Sequence, residues 1–345
     1  MYFYQEDNKL KKVFIWLLKA FTAGLAALCI ANLLCFFYYN LPVHYTNKSG
    51  TTDYYWDADH FSSRGTEGFA LTKTDENGFV NTFPYKKETV DVLIMGSSHT
   101  EGFNVNEDEN YTYLLNSKFL ENGLDKYAYS IGTSGHGLLR NLKNLELALE
   151  AYRPQEYVVI ETTKIDFDTE DLEQLNSGTY ETLKSYDSGF IYALQKIDYF
   201  RLVHTQYNSF IKSSDNEDDS PSPVQTEAAV TDEYVQLLDT AIRNAAKTAS
   251  DKGCTLVVFY SPSLEIDYNG NVIKREYTQV QQSFITACRK YGVDFIDMSE
   301  AFTAMYETTD RLPFGFSNTA VGTGHINKYG HACVAQELYD FMIGG

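Results

Sequence analysis

VDVLIMGSSHTEGF, residues 90–103, is the stretch on which the reading of the chain turns. Val90 to Met95 is an apolar run without polar alternation, as expected of a strand buried on both faces. Gly96 ends it, Ser97, Ser98 and His99 follow, and Gly102 stands four residues beyond Ser98. A strand that stops at glycine and turns into a helix exposes the side chain at the corner. Ser98 is therefore a candidate nucleophile, and a nucleophilic serine needs a base and an oxyanion hole.

The pattern beyond this corner repeats it. Residues 107–122 carry Tyr111, Leu115 and Phe119 at helical spacing and stop at Gly123. KYAYSIG (126–132) reads as the second strand. Leu138, Leu142, Leu145, Leu149 and Tyr152 mark a one-faced helix, and EYVVIET (156–162) the third strand. The alternation pauses over an insertion at 166–230, with a helix predicted around 190–211 and a tail, SSDNEDDSPSPVQTEAA, of disordered composition. A lid over the site and a peripheral decoration both fit this insertion. A helix at 232–252, strand TLVVFY (255–260), a helix at 275–291 and strand VDFIDM (293–298) follow. A long loop at 299–324 then leads to a last helix from about residue 328 to 342. Five strands separated by helices predict an α/β chain, a three-layer α/β/α sandwich around a five-stranded parallel sheet.

The N-terminus has a different character. Residues 13–39 are apolar apart from Lys19, and 20–39 contain no charge and one strongly polar residue, Asn32. Roughly 20 such residues span a bilayer. Lys9, Lys11 and Lys12 precede the segment and FFYY closes it as an interfacial aromatic belt. The expected organisation is a cytoplasmic N-terminus at 1–12 and one transmembrane signal-anchor helix at 13–39. An extracytoplasmic stalk and collar at 40–87 and the α/β domain at 88–345 complete it. A cleaved signal peptide is the alternative, and Ala-x-Ala is absent near Tyr39. Net charge is −19; residues 1–39 carry four lysines against Glu6 and Asp7, which leaves −21 for the remainder. That excludes the basic stripe of a nucleic-acid binder and close docking on anionic lipid. Cys254, Cys288 and Cys333 sit within apolar patterns and read as buried thiols, and no spacing suggests a metal site.

Ligands of open parallel sheets bind beyond the carboxyl ends of the strands. The residues expected there are Ser97, Ser98 and His99; Ser134, Gly135 and His136; Glu161, Thr162, Thr163 and Lys164; Ser261 and Ser263. The loop before the last helix brings His325 to the same edge. Ser98 with His325 is the expected pair, with Gly135 offering a backbone N–H to an oxyanion; pairing of Ser98 with His99 or His136 is the alternative. His331 shares a face with Ala335, Leu338 and Met342 and reads as packed.

Taken in order, G-S-S-H-T-E-G, S-I-G-T-S-G and G-H-I-N-K-Y-G-H resemble the SGNH (GDSL-type) hydrolase superfamily over residues 88–343. The resemblance implies a flavodoxin-like SGNH fold. It makes Ser98 the nucleophile, Gly135 an oxyanion donor and His325 the catalytic base, with Asn327, Gly330 and His331 matching the tail of the last block. Ser97 stands in the place of the family's Asp. Two departures are plain: Gly322 occupies the position of the acid that orients the histidine, and ETTKID (161–166) replaces the third block. A backbone carbonyl, Asn318 or Asp310 could replace the acid. Thr162, Thr163 or Lys164 could supply the second oxyanion donor, with Thr163 expected in that role. His99 and His136 are the expected substrate contacts, and no cofactor or metal is expected. The membrane-anchored branch of the superfamily shares the GSSH turn. It implies a Gram-positive-type envelope protein working on acyl groups of a polysaccharide or teichoic acid, as an O-acyltransferase or an esterase, beside a multi-spanning membrane O-acyltransferase. The rival expectation is a non-catalytic glycan-binding or scaffold protein of the same fold.

Overall fold

A computed structural model of the protein describes residues 3–42, 44–46, 54–165, 167–177, 194, 196–204, 207 and 230–344. The chain forms two compact units, Met1–Asn40 with Asp187–Asp219, and Leu41–Tyr186 with Ser220–Gly345.

The first unit is built on helix α1 (Phe3–Tyr38). Its segment Lys11–Tyr38 is long and apolar enough to cross a membrane. Phe14, Trp16, Phe21 and Leu34 are exposed along it. Asn32, its strongly polar residue, accepts the Tyr199 N–H at 3.2 Å. Residues 198–204 of the insertion are helical. Most of the rest of the helix expected at 190–211, and the polar tail after it, lies outside the described residues.

In the second unit an antiparallel hairpin, β1 (Phe61–Arg64) and β2 (Ala70–Lys73), precedes the parallel sheet. The chain then alternates through β3 (Val92–Gly96), α2 (Ser98–Glu101), α3 (Tyr111–Glu121), β4 (Ala128–Gly132), α4 (Leu138–Tyr152), β5 (Tyr157–Thr162) and α5 (Thr169–Ser177). It continues through α6 (Asp232–Asp251), β6 (Thr255–Tyr260), α7 (Gln279–Tyr291), β7 (Asp294–Asp297), α8 (Ser299–Thr309) and α9 (Lys328–Gly344). Strands β3 to β7 form one parallel sheet in the order β4-β3-β5-β6-β7. Successive strand residues point to opposite faces. Leu93, Met95, Val158, Ile160, Leu256 and Val258 therefore pack against α4, α6 and α7. Val92, Ile94, Val159, Val257 and Phe259 pack against α3 and α9. Both faces are covered, which is why the central strands β3, β5 and β6 are largely apolar, whereas β7 at the sheet edge is only partly buried. The strand order reverses between β3 and β5, so the ligand crevice opens there, over the ends that carry Ser98 and Thr163.

The outer edge of β4 has no strand partner in this sheet. Two asparagine side chains take that place. Asn81 accepts the Ser130 N–H at 2.8 Å and donates to the Ser130 carbonyl at 2.9 Å. Asn116 does the same to Ala128 at 2.7 and 2.9 Å. They satisfy backbone groups that would otherwise recruit another strand. The DENGF segment closes as a turn, with the Asp75 N–H on the Phe79 carbonyl at 2.7 Å, and the Tyr129 hydroxyl donates to Asp75 Oδ2 at 2.6 Å.

Three element boundaries differ from the sequence pattern. The helix expected from residue 107 begins at Tyr111, because Asn110 leaves the helical region and caps it by accepting the Thr112 N–H at 2.8 Å. The helix expected from 275 begins at Gln279, fixed by a capping box between Thr278 and Gln281. The supposed loop at 299–324 contains helix α8. Within α8 only Phe302 is fully buried, and its apolar stripe is short, Phe302 with Met305 and Tyr306.

Candidate active site

Gly96 ends β3 at a crowded point. A Cβ there would lie 1.9 Å from Thr100 Oγ1 and 2.8 Å from Glu161 Oε2, so the corner closes only around glycine. Ser97 caps the short helix that follows, its hydroxyl accepting the His99 N–H at 3.3 Å. Ser98 is the first helical residue. Its Oγ lies 2.7 Å from His325 Nε2.

The other face of the His325 ring meets a carboxylate. His325 Nδ1 is 2.6 Å from Glu67 Oε2, and the His325 backbone N–H donates to Glu67 Oε1 at 2.6 Å. With Nδ1–H directed at Glu67, Nε2 keeps its lone pair for the Ser98 hydroxyl. Burial alone would raise the Glu67 carboxyl. The hydrogen bonds and charge of His325, with Arg64 beside it, outweigh this and lower it to about 2. The Arg64 guanidinium is 3.6 Å from Glu67 Oε2, and Asn104 Nδ2 donates to the same oxygen at 3.1 Å.

Glu67 belongs to the loop of the β1–β2 hairpin. Asn318 holds this loop against the segment that leads to His325. Its Oδ1 accepts the Gly68 N–H at 2.6 Å and its Nδ2 donates to the carbonyls of Gly65 and Gly68 at 2.9 and 3.2 Å. Gly324 completes the approach. Its φ is +93°, and a Cβ would stand 2.2 Å from Glu67 Oε1. His325 Nδ1 thus meets Glu67 rather than a backbone carbonyl, Asn318 or Asp310, the substitutes expected from the sequence. Gly322 lies in the turn, Asp310 caps the C-terminus of α8, and Asn318 clamps the Glu67 loop. Glu67 itself carries a weak sequence signal, an acid flanked by glycines in GTEG between the runs FSSR and ALTK.

His99 does not bond Ser98. Its Nδ1 accepts the Ile326 N–H at 3.1 Å, and its ring lies 5.0 Å from that of His325. Burial pushes the His99 imidazole below its ordinary value; His325 adds to this while Glu161 and Glu67 oppose it. A neutral His99 thus props the residue next to His325. His136 is 3% exposed, and its backbone N–H donates to the Thr133 carbonyl at 3.0 Å. Gly135 is exposed in the turn after β4. Glu101 fixes that turn, accepting the Ser134 N–H at 3.2 Å and the Ser134 hydroxyl at 2.6 Å. Thr163 is half-buried after β5. The neighbouring Thr162 hydroxyl donates to the Lys164 carbonyl at 2.6 Å. His331 is buried on α9, its Nδ1 accepting the Tyr111 N–H at 3.2 Å.

A cavity of about 360 Å³ opens beside the His325 loop, with Tyr306, Arg311, Phe316, Gly322 and Tyr329 among its walls. Phe314 lines it and also packs edge-on against His99, with ring centroids 5.8 Å apart. The Arg311 guanidinium lies 5.3 Å from the centre of the Tyr329 ring. Among the described residues no group of three or more His, Cys, Asp or Glu could hold a metal ion.

The solved structures similar to this chain include esterases and a GDSL-like lipase. A psychrotrophic esterase, EstA from Pseudoalteromonas sp., is 14% identical, with 73% of this chain and 96% of that chain covered and a TM-score of 0.39. An acetyl xylan esterase, AlAXEase, is 12% identical over 72% of this chain and 98% of that chain, with a TM-score of 0.39. A GDSL-like lipase from Bacteroides thetaiotaomicron is 14% identical over 76% and 92%, with a TM-score of 0.33. No family model matches the chain, and no curated protein does. With identities and TM-scores this low, the chemistry rests on the site's own geometry.

Proposed function

We propose that the protein is a membrane-anchored serine enzyme of acyl esters, with Ser98 as nucleophile, His325 as general base and Glu67 as the orienting acid. One observation carries this reading: the continuous line Ser98 Oγ, His325 Nε2, His325 Nδ1, Glu67 Oε2, with links of 2.7 and 2.6 Å. Geometry of this kind defines a catalytic triad regardless of chain order.

In the proposed reaction Ser98 Oγ attacks the ester carbonyl carbon while its proton passes to His325 Nε2. Glu67 stabilises the resulting imidazolium. The carbonyl oxygen takes the negative charge, and the backbone N–H of Gly135 is the proposed donor to it, with Thr163 the second. Collapse expels the alkoxide, which takes the proton from His325 and leaves an acyl group on Ser98. Water or a sugar hydroxyl then gives its proton to His325 and attacks the acyl carbon, and as the acyl–Ser98 bond breaks Ser98 Oγ takes that proton back from His325. Water as acceptor makes an esterase, and a sugar hydroxyl makes an O-acyltransferase.

The proposed substrate is an acylated envelope glycan or teichoic acid. The aromatic and polar walls of the cavity beside the loop that leads to His325 suit sugar C–H faces and hydroxyls. The exposed apolar length of α1 supports anchoring, with the three lysines before it favouring a cytoplasmic N-terminus and an extracytoplasmic site. A multi-spanning O-acyltransferase is the proposed supplier of acyl groups. His99 and His136 are proposed to shape the substrate mouth.

The test is to treat the full-length protein in detergent with a serine-reactive fluorophosphonate and locate the adduct, alongside hydrolysis of para-nitrophenyl acetate. Labelling at Ser98 that disappears in Ser98→Ala and His325→Ala is expected. An unlabelled Ser98 in folded protein, with no ester hydrolysis, refutes the reading and leaves a binding or scaffold role.

A further inference from the structure

The triad does not use Glu161, although Glu161 is fully buried at the carboxyl end of β5. Its Oε2 collects three donors from the Ser98 corner: the Ser97 N–H at 3.0 Å, the Ser97 hydroxyl at 2.8 Å and the Thr100 hydroxyl at 3.2 Å. Oε1 accepts the Ser261 hydroxyl at 3.1 Å from the end of β6. Behind Thr100, the Tyr111 hydroxyl donates to Thr100 Oγ1 at 2.7 Å, which commits the Thr100 proton to Glu161. No lysine or arginine forms an ion pair with Glu161 among the described residues. A buried carboxylate without a cation is costly unless donors surround it, and here they do.

Three donors on one oxygen suit an anionic carboxylate better than an amide, whose single oxygen has two lone pairs. They converge on the two residues that flank Ser98 and His99 in the corner. We propose that Glu161 is a positioning residue: it fixes the strand-to-helix corner from the neighbouring strand, so that Ser98 Oγ emerges in line with His325 Nε2. This rests on reading Ser98 as the nucleophile.

The experiment compares wild type, Glu161→Gln and Ser97→Ala as full-length protein in detergent. Three quantities are read: kcat and KM on para-nitrophenyl acetate, the rate of fluorophosphonate labelling at Ser98, and amide hydrogen exchange over residues 95–103. Glu161→Gln is expected to lower kcat and the labelling rate together by about tenfold to a hundredfold, with KM unchanged, since small misplacements of a reacting group cost that much. Exchange should quicken over 95–103 while the central segments of β5 and β6 stay protected. Ser97→Ala should show the same pattern to a smaller degree, and it decides the matter if Glu161→Gln does not fold. Wild-type kinetics and exchange in a folded variant overturn the proposal. So does exchange that quickens equally throughout the sheet, which marks a general structural role. If wild-type Ser98 does not label, the catalytic reading fails, and the exchange data still decide whether Glu161 holds the corner.

Discussion

Glu67 and His325 stand 258 positions apart in the chain, and 2.6 Å separates a carboxylate oxygen of one from Nδ1 of the other. The acid comes from a hairpin that precedes the parallel sheet, not from the turn three residues before the histidine. The hairpin is therefore part of the site. It is held there by two cheap devices, an asparagine clamp at Asn318 and a glycine at 324 that leaves room for the carboxylate.

Replacing Glu67 by Gln should keep the fold and cut kcat by roughly a thousandfold or more, because an amide neither stabilises the imidazolium nor fixes its tautomer. Glu67 is held down to about 2, so its carboxylate stays ionised through the whole working range and contributes no step to the pH–rate profile. Steady-state kinetics from pH 5 to 9 measure the loss. Activity within a few fold of wild type in Glu67→Gln would remove Glu67 from the mechanism.

Asn318→Ala tests the clamp without touching any triad atom. It deletes an acceptor for Gly68 and a donor to Gly65 and Gly68. Loss of such bonds costs about 1–3 kcal/mol when the partners stay buried. Here the loop is partly exposed, so the low end applies to stability. The larger effect is expected on kcat, which should fall about tenfold with KM unchanged as the Glu67 loop loosens. Thermal melting and kinetics on one preparation separate the two effects. A drop in melting temperature with wild-type kcat would show that the clamp serves only the fold.

Much of this molecule is legible in its sequence. The central strands announce themselves because burial on both faces makes them largely apolar, and the 3.6-residue period of α4 is plain in its leucines. Ser98 and His325 are legible for a topological reason, since both follow elements that end at the same sheet edge. The roles of Glu67 and Glu161 are not. Glu161 is expected at the sheet edge and GTEG marks Glu67 weakly, but the contacts that give them their roles span 61 to 258 positions. Helix α8 escapes notice because its stripe is short, Phe302 with Met305 and Tyr306, and only Phe302 is fully buried.

Gly324→Ala separates backbone strain from a clash with Glu67. Gly324 has φ +93° and an added Cβ meets Glu67 Oε1 at 2.2 Å, whereas Gly123 has φ +70° and open space around it. Both alanine variants carry the cost of a left-handed alanine, about 1–2 kcal/mol. Only Gly324→Ala must displace the carboxylate. Its melting temperature should fall at least as far as that of Gly123→Ala, and its kcat should approach that of Glu67→Gln while Gly123→Ala keeps wild-type kcat. Equal kcat in the two variants would mean that Glu67 accommodates the methyl, and the close packing of the two loops would then be incidental.

His331 makes a prediction for stability against pH. It is buried on α9, its Nδ1 accepts the Tyr111 N–H at 3.2 Å, and the acceptor role requires the neutral ring. Burial, with smaller contributions from His99 and His325, lowers it from 6.5 to about 3. The unfolded chain takes up this proton below about pH 6.5, and the folded chain resists it down to about 3. Its contribution is therefore fully present above pH 6.5 and is lost progressively as pH falls from there towards 3. The slope approaches about 1.4 kcal/mol per pH unit for one such group. His331→Asn keeps an acceptor for Tyr111 and cannot be protonated. Urea unfolding of both proteins between pH 7.5 and 4.5 is the measurement. The wild type should start more stable, and its advantage should shrink with each step down in pH, because the variant lacks this proton uptake. A difference that stays constant over that range would show that His331 takes up its proton equally in the folded and the unfolded chain, so that burial does not hold the ring neutral.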